Sequence, residues 1–457
     1  MRSASEWAQA EFGMAELGDR RRSRRLVHLA ENLAQNPGGT LPGVFADWAE
    51  LKAAYRFFGQ AGVGFEAILT PHWERTRAAC REPGEYLLIE DTTLLDYTAH
   101  TAARNLGRIG NGGGRGFELH STLAVQVTGW TLEQRPEGLL VGLLGQDCAT
   151  PRSAPAGEAR RQRLSRPRKS QRWAAALKTA GAPPPGSQWI YVADRESDFY
   201  EPLQLCQQHG VDFIIRSHQD RRLADAAGRL LAAVDRAAVL GRTNVDLRAR
   251  PGQAARVAVV ELRAISVDLD GPWRPGGWQK PLPGVWALEV REVDPPAEVP
   301  APLRWLLLTS LPCPTKAQAL RVVGRYSARW WIEEYHKALK SGTGVETSQM
   351  ECATRLTGLI AILSLVAVRL LSTKLLARSQ PDGGQAAARI GPELLALLER
   401  KQGAPPGGWT NRNLLRAVAR LGGFIGRNSD GEPGWKNIWR GWQRLLWMAQ
   451  GADLMQL

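Results

Sequence analysis

Residues 325–346 read RYSARWWIEEYHKALKSGTGVE. The segment carries Glu333, Glu334 and Glu346, a set of basic side chains, and the aromatics Tyr326, Trp330, Trp331 and Tyr335. It contains no Pro, and no Gly before Gly342, so its composition predicts one continuous helix. At about 100° per residue, Tyr326, Arg329, Glu333 and Lys340 share a stripe about 60° wide, with Lys337 close beside it. Trp331, Ile332, Tyr335 and Leu339 lie opposite and can dock on a core. A solvated amphipathic helix with i,i+4 ion pairs such as Glu333–Lys337 has the same pattern. The column acquires chemical meaning only if partners reach it from elsewhere in the chain.

Two apolar strands supply candidates. YLLIED ends in Asp91 and QWIYVAD ends in Asp194. If these strands are neighbours, both carboxylates emerge at the carboxyl edge, where open α/β sheets build their sites. Glu333 from a following helix would complete a set of three. Three carboxylates without His or Cys suit a hard ion such as Mg²⁺ or Mn²⁺. Two such ions about 4 Å apart clamp the attacking and leaving oxygens of a phosphoryl displacement. Arg329, Lys337 and Lys340 would then grip phosphates. Each Asp also has a plainer reading: Asp91 as a cap before Thr92 and Thr93, Asp194 as the partner of Arg195.

The whole chain agrees with a polyanionic partner. Its 457 residues carry a formal net charge of +14, with pI about 10.0. That surplus points to nucleic acid, although Arg, Ala, Gly and Pro richness also follows from a GC-rich genome. Cys80, Cys148, Cys206, Cys313 and Cys352 are scattered without a CxxC pair. This argues against a zinc site or a disulfide framework and fits a reducing compartment. No N-terminal segment resembles a signal peptide. The most apolar run, LTGLIAILSLVAV between Arg355 and Arg369, is too short to span a bilayer and reads as a buried core helix. A cytoplasmic protein with no membrane partner is expected.

Along the chain, residues 1–75 read as helical. A helix opens after Asp19 and stops at Asn36-Pro37-Gly38; its first turns carry Arg20, Arg21, Arg22, Arg24 and Arg25. ELKAAYRFFG is a second helix. Strands follow from about residue 85: YLLIED, ELHSTLAVQV after the turn NGGGRG, LLVGLLGQDCA, QWIYVAD and FIIRS, the last carrying Arg216. The basic stretch RRQRLSRPRKSQRW and the break GAPPPGS precede the fourth. Residues 220–312 alternate in β fashion and read as a β-rich insertion. Helices return over 316–378. After the break APPGG, Trp435, Trp439 and Trp442 recur at helical spacing, either as internal packing or as an interface.

IEDTT, VADRESDFY and the Y-x2-R-x3-E-x6-K column together resemble the DDE transposases of the Tn-five type, in bacterial insertion-sequence family four with its YREK signature. WAQAEFGMAELGDRRRSRRL, AAYRFF, LRWLLLTSLP, VARLGGF and GWKNIWRGW extend the resemblance over nearly the whole chain. It implies an α/β, RNase H-like (retroviral-integrase-like) catalytic core over 76–378, interrupted by the insertion. A helical DNA-end-binding domain over 1–75 and a helical dimerisation domain over 379–457 flank it. It implies cut-and-paste transposition through a hairpin intermediate, on transposon ends and target DNA, by a nucleoid-associated homodimer. By position, Asp91, Asp194 and Glu333 become the catalytic and metal-binding triad for two Mg²⁺ or Mn²⁺ ions. Tyr326, Arg329 and Lys340 become the phosphate grip, and Trp305 the aromatic that receives a flipped base. Lys337, Arg216, Arg21, Arg22 and Arg25 join the expected DNA contacts. His120 matches a family His and reads either as structural or as a support behind the catalytic residues. Two other classes stay open: a non-catalytic or inhibitory DNA-binding relative, which the intact acids disfavour, and a generic RNase H-like nuclease, which the two flanking modules disfavour.

Overall fold

The computed structural model describes residues 3–454, apart from 46, 111, 152–156, 158–171, 174, 225–227, 248–254, 275–276, 298, 300, 385–389 and 428–429. Five helices come first, spanning Ala4–Phe12, Arg20–Gln35, Leu41–Val44, Trp48–Phe57 and Phe65–Ala79. Asp19 starts the second by accepting a hydrogen bond from the Arg21 amide at 2.8 Å, as its place before the arginine run predicts. The expected boundary at residue 75 falls inside the fifth helix.

The centre is one mixed sheet. Its strands are β1 (Gly84–Asp96), β2 (Gly107–Ile109), β3 (Gly114–Trp130), β4 (Pro136–Ala149), β5 (Ser187–Ala193), β6 (Asp212–Ser217), β7 (Val239–Leu247), β8 (Arg256–Leu269), β11 (Leu282–Glu292) and β12 (Arg304–Thr309), while a small separate ribbon joins β9 (Trp273–Arg274) to β10 (Gly277–Trp278). The order is β2-β3-β1-β5-β6-β12-β11-β8-β7, with β4 also paired to β3. β1, β5 and β6 are parallel neighbours. The other pairs are antiparallel.

Alternation along the strands divides the core in two. Leu87, Ile89, Ile190, Val192, Ile214 and Leu307 face one apolar cluster, which also takes in the N-terminal helices and the helix Ala353–Ser379. Leu88, Tyr191, Phe213 and Leu308 face the other. Helices cover the sheet on both sides, as an RNase H-like α/β core requires.

Two expectations need amendment. β1 does not stop at Asp91 but continues to Asp96, because β3 pairs with it along that whole length. The β-rich stretch 220–312 is continuous with the central sheet: β12 pairs with β6, so β12, β11, β8 and β7 prolong it, and the short helix Leu230–Arg236 lies in the same stretch. The apolar run between Arg355 and Arg369 is the centre of a 27-residue helix that is long and apolar enough to cross a membrane. Its burial identifies it as a core helix instead, since 67% of its apolar stretch is enclosed by the rest of the chain.

Helices Pro392–Gln402, Asn411–Leu421 and Trp435–Leu454 complete the chain. The last two cross closely because Gly422 and Gly441 face each other's backbone. A Cβ on Gly441 would lie 1.7 Å from the Val418 carbonyl oxygen. The tryptophan stripe packs inward. Trp435 lies against the central core, Trp442 joins the C-terminal cluster, and Trp439 fills the space beside Gly38.

Candidate active site

Register brings the site together. β1 and β5 pair in parallel with Ile89 opposite Val192, and the next residues on the same face are Asp91 and Asp194. β5 and β6 pair with Ala193 opposite Ile215, which sets Arg216 level with Asp194. All three positions belong to the face of Ile89, Val192 and Ile214, where the helices pack. β12 runs alongside β6, and Trp305 precedes its paired segment on the same face. Asp194 also caps a short turn by accepting from the Glu196 amide at 2.8 Å.

The segment quoted at the outset forms the roof, but not as one helix. The helix Lys316–Ser327 ends after Tyr326, two residues turn, and a second helix runs Trp330–Lys337 into a π-helical turn, Ala338–Gly342. Tyr326 and Lys340 therefore belong to different elements from Glu333, and the single straight column is a sharper bend than the composition predicts. The core-facing side is as expected, with Ile332, Tyr335 and Leu339 fully buried. Gly324 permits the first helix to approach the sheet: a Cβ there would meet the Gln134 carbonyl oxygen at 1.9 Å.

At the turn, Arg329 spans two acids. Its guanidinium donates to Asp91 Oδ2 at 3.1 Å and to Glu333 Oε1 at 2.5 Å. Burial pushes the Asp91 carboxyl up to about 6. Arg329 opposes that shift, while Asp194 and Glu333 reinforce it by repulsion. Asp91 therefore feels both other acids, although they come from β5's end and from the helix. Tyr326 is buried, and its ring meets Trp305 edge-on, with centroids 5.5 Å apart. Burial raises the Tyr326 phenol; Arg329 and Arg216 pull the other way.

The remaining predicted contacts separate into two groups. Lys340 pairs with Glu346 at 3.0 Å, and Lys337 lies over the Trp330 ring at 4.4 Å, beside Glu334. The N-terminal arginines do not act alike. Arg22 donates to the Leu17 and Ala61 carbonyls at 3.0 and 2.8 Å, and Arg25 pairs with Glu50 at 2.5 Å. These two brace their own domain, whereas Arg20, Arg21 and Arg24 are exposed. The basic stretch 160–173 lies outside the described residues except for its last two. Arg172 pairs with Glu118 and Asp147, and Trp173 is buried.

The donor set suits a hard cation in kind: three carboxylates, two of them on neighbouring strands at one level. Among the described residues, no three His, Cys, Asp or Glu groups stand close enough to enclose an ion. Arg329 accounts for this, because its guanidinium occupies the space between Asp91 and Glu333. Sequence reasoning missed the carboxylate next door. Glu334 is buried and bound to Lys374 and Trp435. The only sequence signal was an acid adjacent to Glu333 on a helix with an apolar face. His120 is buried, with Nδ1 2.9 Å from Thr92 Oγ1 and its ring edge-on to Trp173.

Comparison with known families finds three matches along the chain. Residues 4–63 match the family described as Transposase DNA-binding. Residues 174–369 match Transposase DDE domain, a segment that includes Asp194 and Glu333 but not Asp91. Residues 395–456 match Transposase Tn5 dimerisation domain. The three succeed one another in the order of the helical start, the sheet and the helical end, so the chain binds DNA, dimerises with itself and carries a nuclease core whose family depends on divalent metal. The chain belongs to the Tn5-type DDE transposases.

Proposed function

We propose that this transposase works by cut-and-paste: it binds the inverted repeats at transposon ends, nicks them, releases the element through a hairpin intermediate and joins it to target DNA. The observation that carries the reading is the level placement of Asp91 and Asp194 on adjacent parallel strands, with Glu333 tied to Asp91 through Arg329. In this reading Asp91, Asp194 and Glu333 hold two Mg²⁺ or Mn²⁺ ions once Arg329 withdraws. Bound divalent ions neutralise charge on the phosphate and lower the pKa of a bound water.

The chain's own side chains bind and orient the DNA. Arg216, Tyr326, Arg329, Lys337 and Lys340 surround the acids and grip phosphates. A DNA phosphate offers Arg329 an alternative to its two carboxylates. Trp305, half-buried against Tyr326, receives the base that must leave the stack when the strand bends into a hairpin. Arg21, Arg22 and Arg25, with the exposed Arg20 and Arg24 beside them, hold the transposon end through the N-terminal helices. The division 1–75, 76–378 and 379–457, membership of insertion-sequence family four with the YREK signature, and a cytoplasmic, nucleoid-associated location belong to the same proposal.

The test is a nicking assay on cognate end DNA with Mg²⁺, comparing wild type with Glu333→Gln and scoring end binding in parallel. Cleavage by wild type and none by the variant, at equal binding, supports the reading. A wild-type protein that binds ends and never cuts them would instead be a non-catalytic relative.

A further inference from the structure

The Glu334 carboxylate belongs to the residue next to Glu333 on the same helix. It is 6% exposed. Four side chains converge on it. Trp330 Nε1 donates to Oε1 at 3.2 Å, Lys337 Nζ lies 3.7 Å from the same oxygen, Trp435 Nε1 donates to Oε2 at 2.7 Å, and the Lys374 ammonium also binds Oε2. Lys374 is itself buried, at 3% exposure, and lies 4.5 Å above the Trp435 ring.

These partners come from three elements. Trp330 and Lys337 share the helix of Glu333. Lys374 belongs to the long core helix Ala353–Ser379, and Trp435 is the first residue of the C-terminal helix Trp435–Leu454. That C-terminal helix also packs on the π-helical turn Ala338–Gly342, which carries Lys340. The dimerisation region therefore touches the roof of the site at both ends, once through a hydrogen bond and once through packing.

A buried ion pair is a costly way merely to hold two helices together. An apolar pair of the same volume often stabilises as well or better. What the charges add is a fixed geometry. A carboxylate whose acceptor positions are filled by directional donors is set in rotation and depth, and Glu333 is the next residue along the same helix.

We propose that Glu334 is a positioning residue which, through Lys374 and Trp435, locks the helix of Glu333 to the C-terminal helix, so that seating of the dimerisation region sets the place of Glu333. The inference rests on the reading of Glu333 given above. It makes the C-terminal helix part of the catalytic apparatus as well as of the dimer: a protomer whose C-terminal helix shifts loses the fixed orientation of its third acid before it loses DNA.

Trp435→Phe tests this in the full chain, because Phe keeps an aromatic ring in place while removing the N–H donor along with the second ring, and the Lys374 variants below separate the two losses. End affinity, assembly of the paired complex and the single-turnover nicking rate constant are measured together. The expected result is binding and assembly within twofold of wild type, with the rate constant lowered roughly fivefold or more. Lys374→Arg, which keeps the charge, is expected to fall less than Lys374→Met. A purely structural role would lower the fraction of active protein, seen as burst amplitude, and leave the rate constant alone; that outcome overturns the proposal. Glu333→Gln is run beside it. If Glu333→Gln is inactive and Trp435→Phe cuts at the wild-type rate, the coupling alone is wrong. If Glu333→Gln still cuts, the catalytic reading fails first.

Discussion

Arg329 and Asp91 are 238 residues apart in the chain and 3.1 Å apart in space. Their ion pair closes the roof of the site onto the central strand. It also places a cation of the chain's own between two acids that would otherwise repel each other.

Replacing any one of Asp91, Asp194 or Glu333 by its amide is expected to reduce cleavage at least about a hundredfold, equivalent to about 2.7 kcal/mol of transition-state stabilisation. End binding is expected to stay within about threefold, because the phosphate contacts are spread over many basic groups. Gel-shift and nicking assays on the same DNA separate the two quantities.

The Asp91 carboxyl, raised to about 6, gives a prediction of opposite sign for stability. A carboxyl whose folded pKa exceeds its unfolded value of about 3.9 contributes stability below that value and loses it as pH rises through about 6. At pH 7.5 the ionised Asp91 is therefore a net cost to the metal-free fold. Asp91→Asn is expected to raise the thermal midpoint of metal-free protein at pH 7.5 by a few degrees, for about 1–3 kcal/mol, and to make little difference near pH 4. Thermal melts at the two pH values check it; a lower midpoint at pH 7.5 would contradict it.

Arg21 and Arg22 are neighbours with different expected roles. Arg21→Ala is expected to flatten the dependence of log affinity on log salt by about 0.9, the share of one lost phosphate contact. Arg22→Ala removes the donor to two carbonyls and is expected to cost about 1–3 kcal/mol of stability, with less change in salt slope. Salt titrations of end binding and urea melts of the free protein distinguish the pair.

Trp305→Ala is expected to spare the first nick and slow hairpin formation roughly tenfold, since a stacked base is worth about 1–3 kcal/mol. A time course on labelled end DNA resolves nicked, hairpin and blunt products, and nicked product is expected to accumulate. Equal slowing of every step, with loss of soluble protein, would show that the ring's contact with Tyr326 matters for folding instead.

Much of this was legible in the sequence because the relevant signals are local. Asp19 before an arginine-rich helix, Asp194 just past the end of an apolar strand, and Ile332, Tyr335 and Leu339 on one helical face all behave as their patterns predict. The misreadings involve interactions between distant segments. Nothing near Ala328 or Arg329 is a helix breaker, and the bend follows from how the roof meets the sheet. β1 continues past Asp91 because β3 pairs with it, and that pairing has no signature in the strand itself. The inward tryptophans and the Lys374–Glu334 pair depend on where a helix 40 or 101 residues further on comes to rest.

The pairing of β6 with β12 has a further consequence for synthesis of the chain. β6 is complete at residue 217, but its outer neighbour does not begin until residue 304. Until then the growing chain presents β6 as an open edge, with bare amides and carbonyls ready to join another strand. The N-terminal helices rely on short-range contacts and can fold as they emerge, whereas the sheet must wait for its distant strand. Removing β12 along with the rest of the insertion to gain a smaller enzyme would therefore leave β6 as a permanent open edge, and the expected result is aggregated protein instead of a minimal transposase.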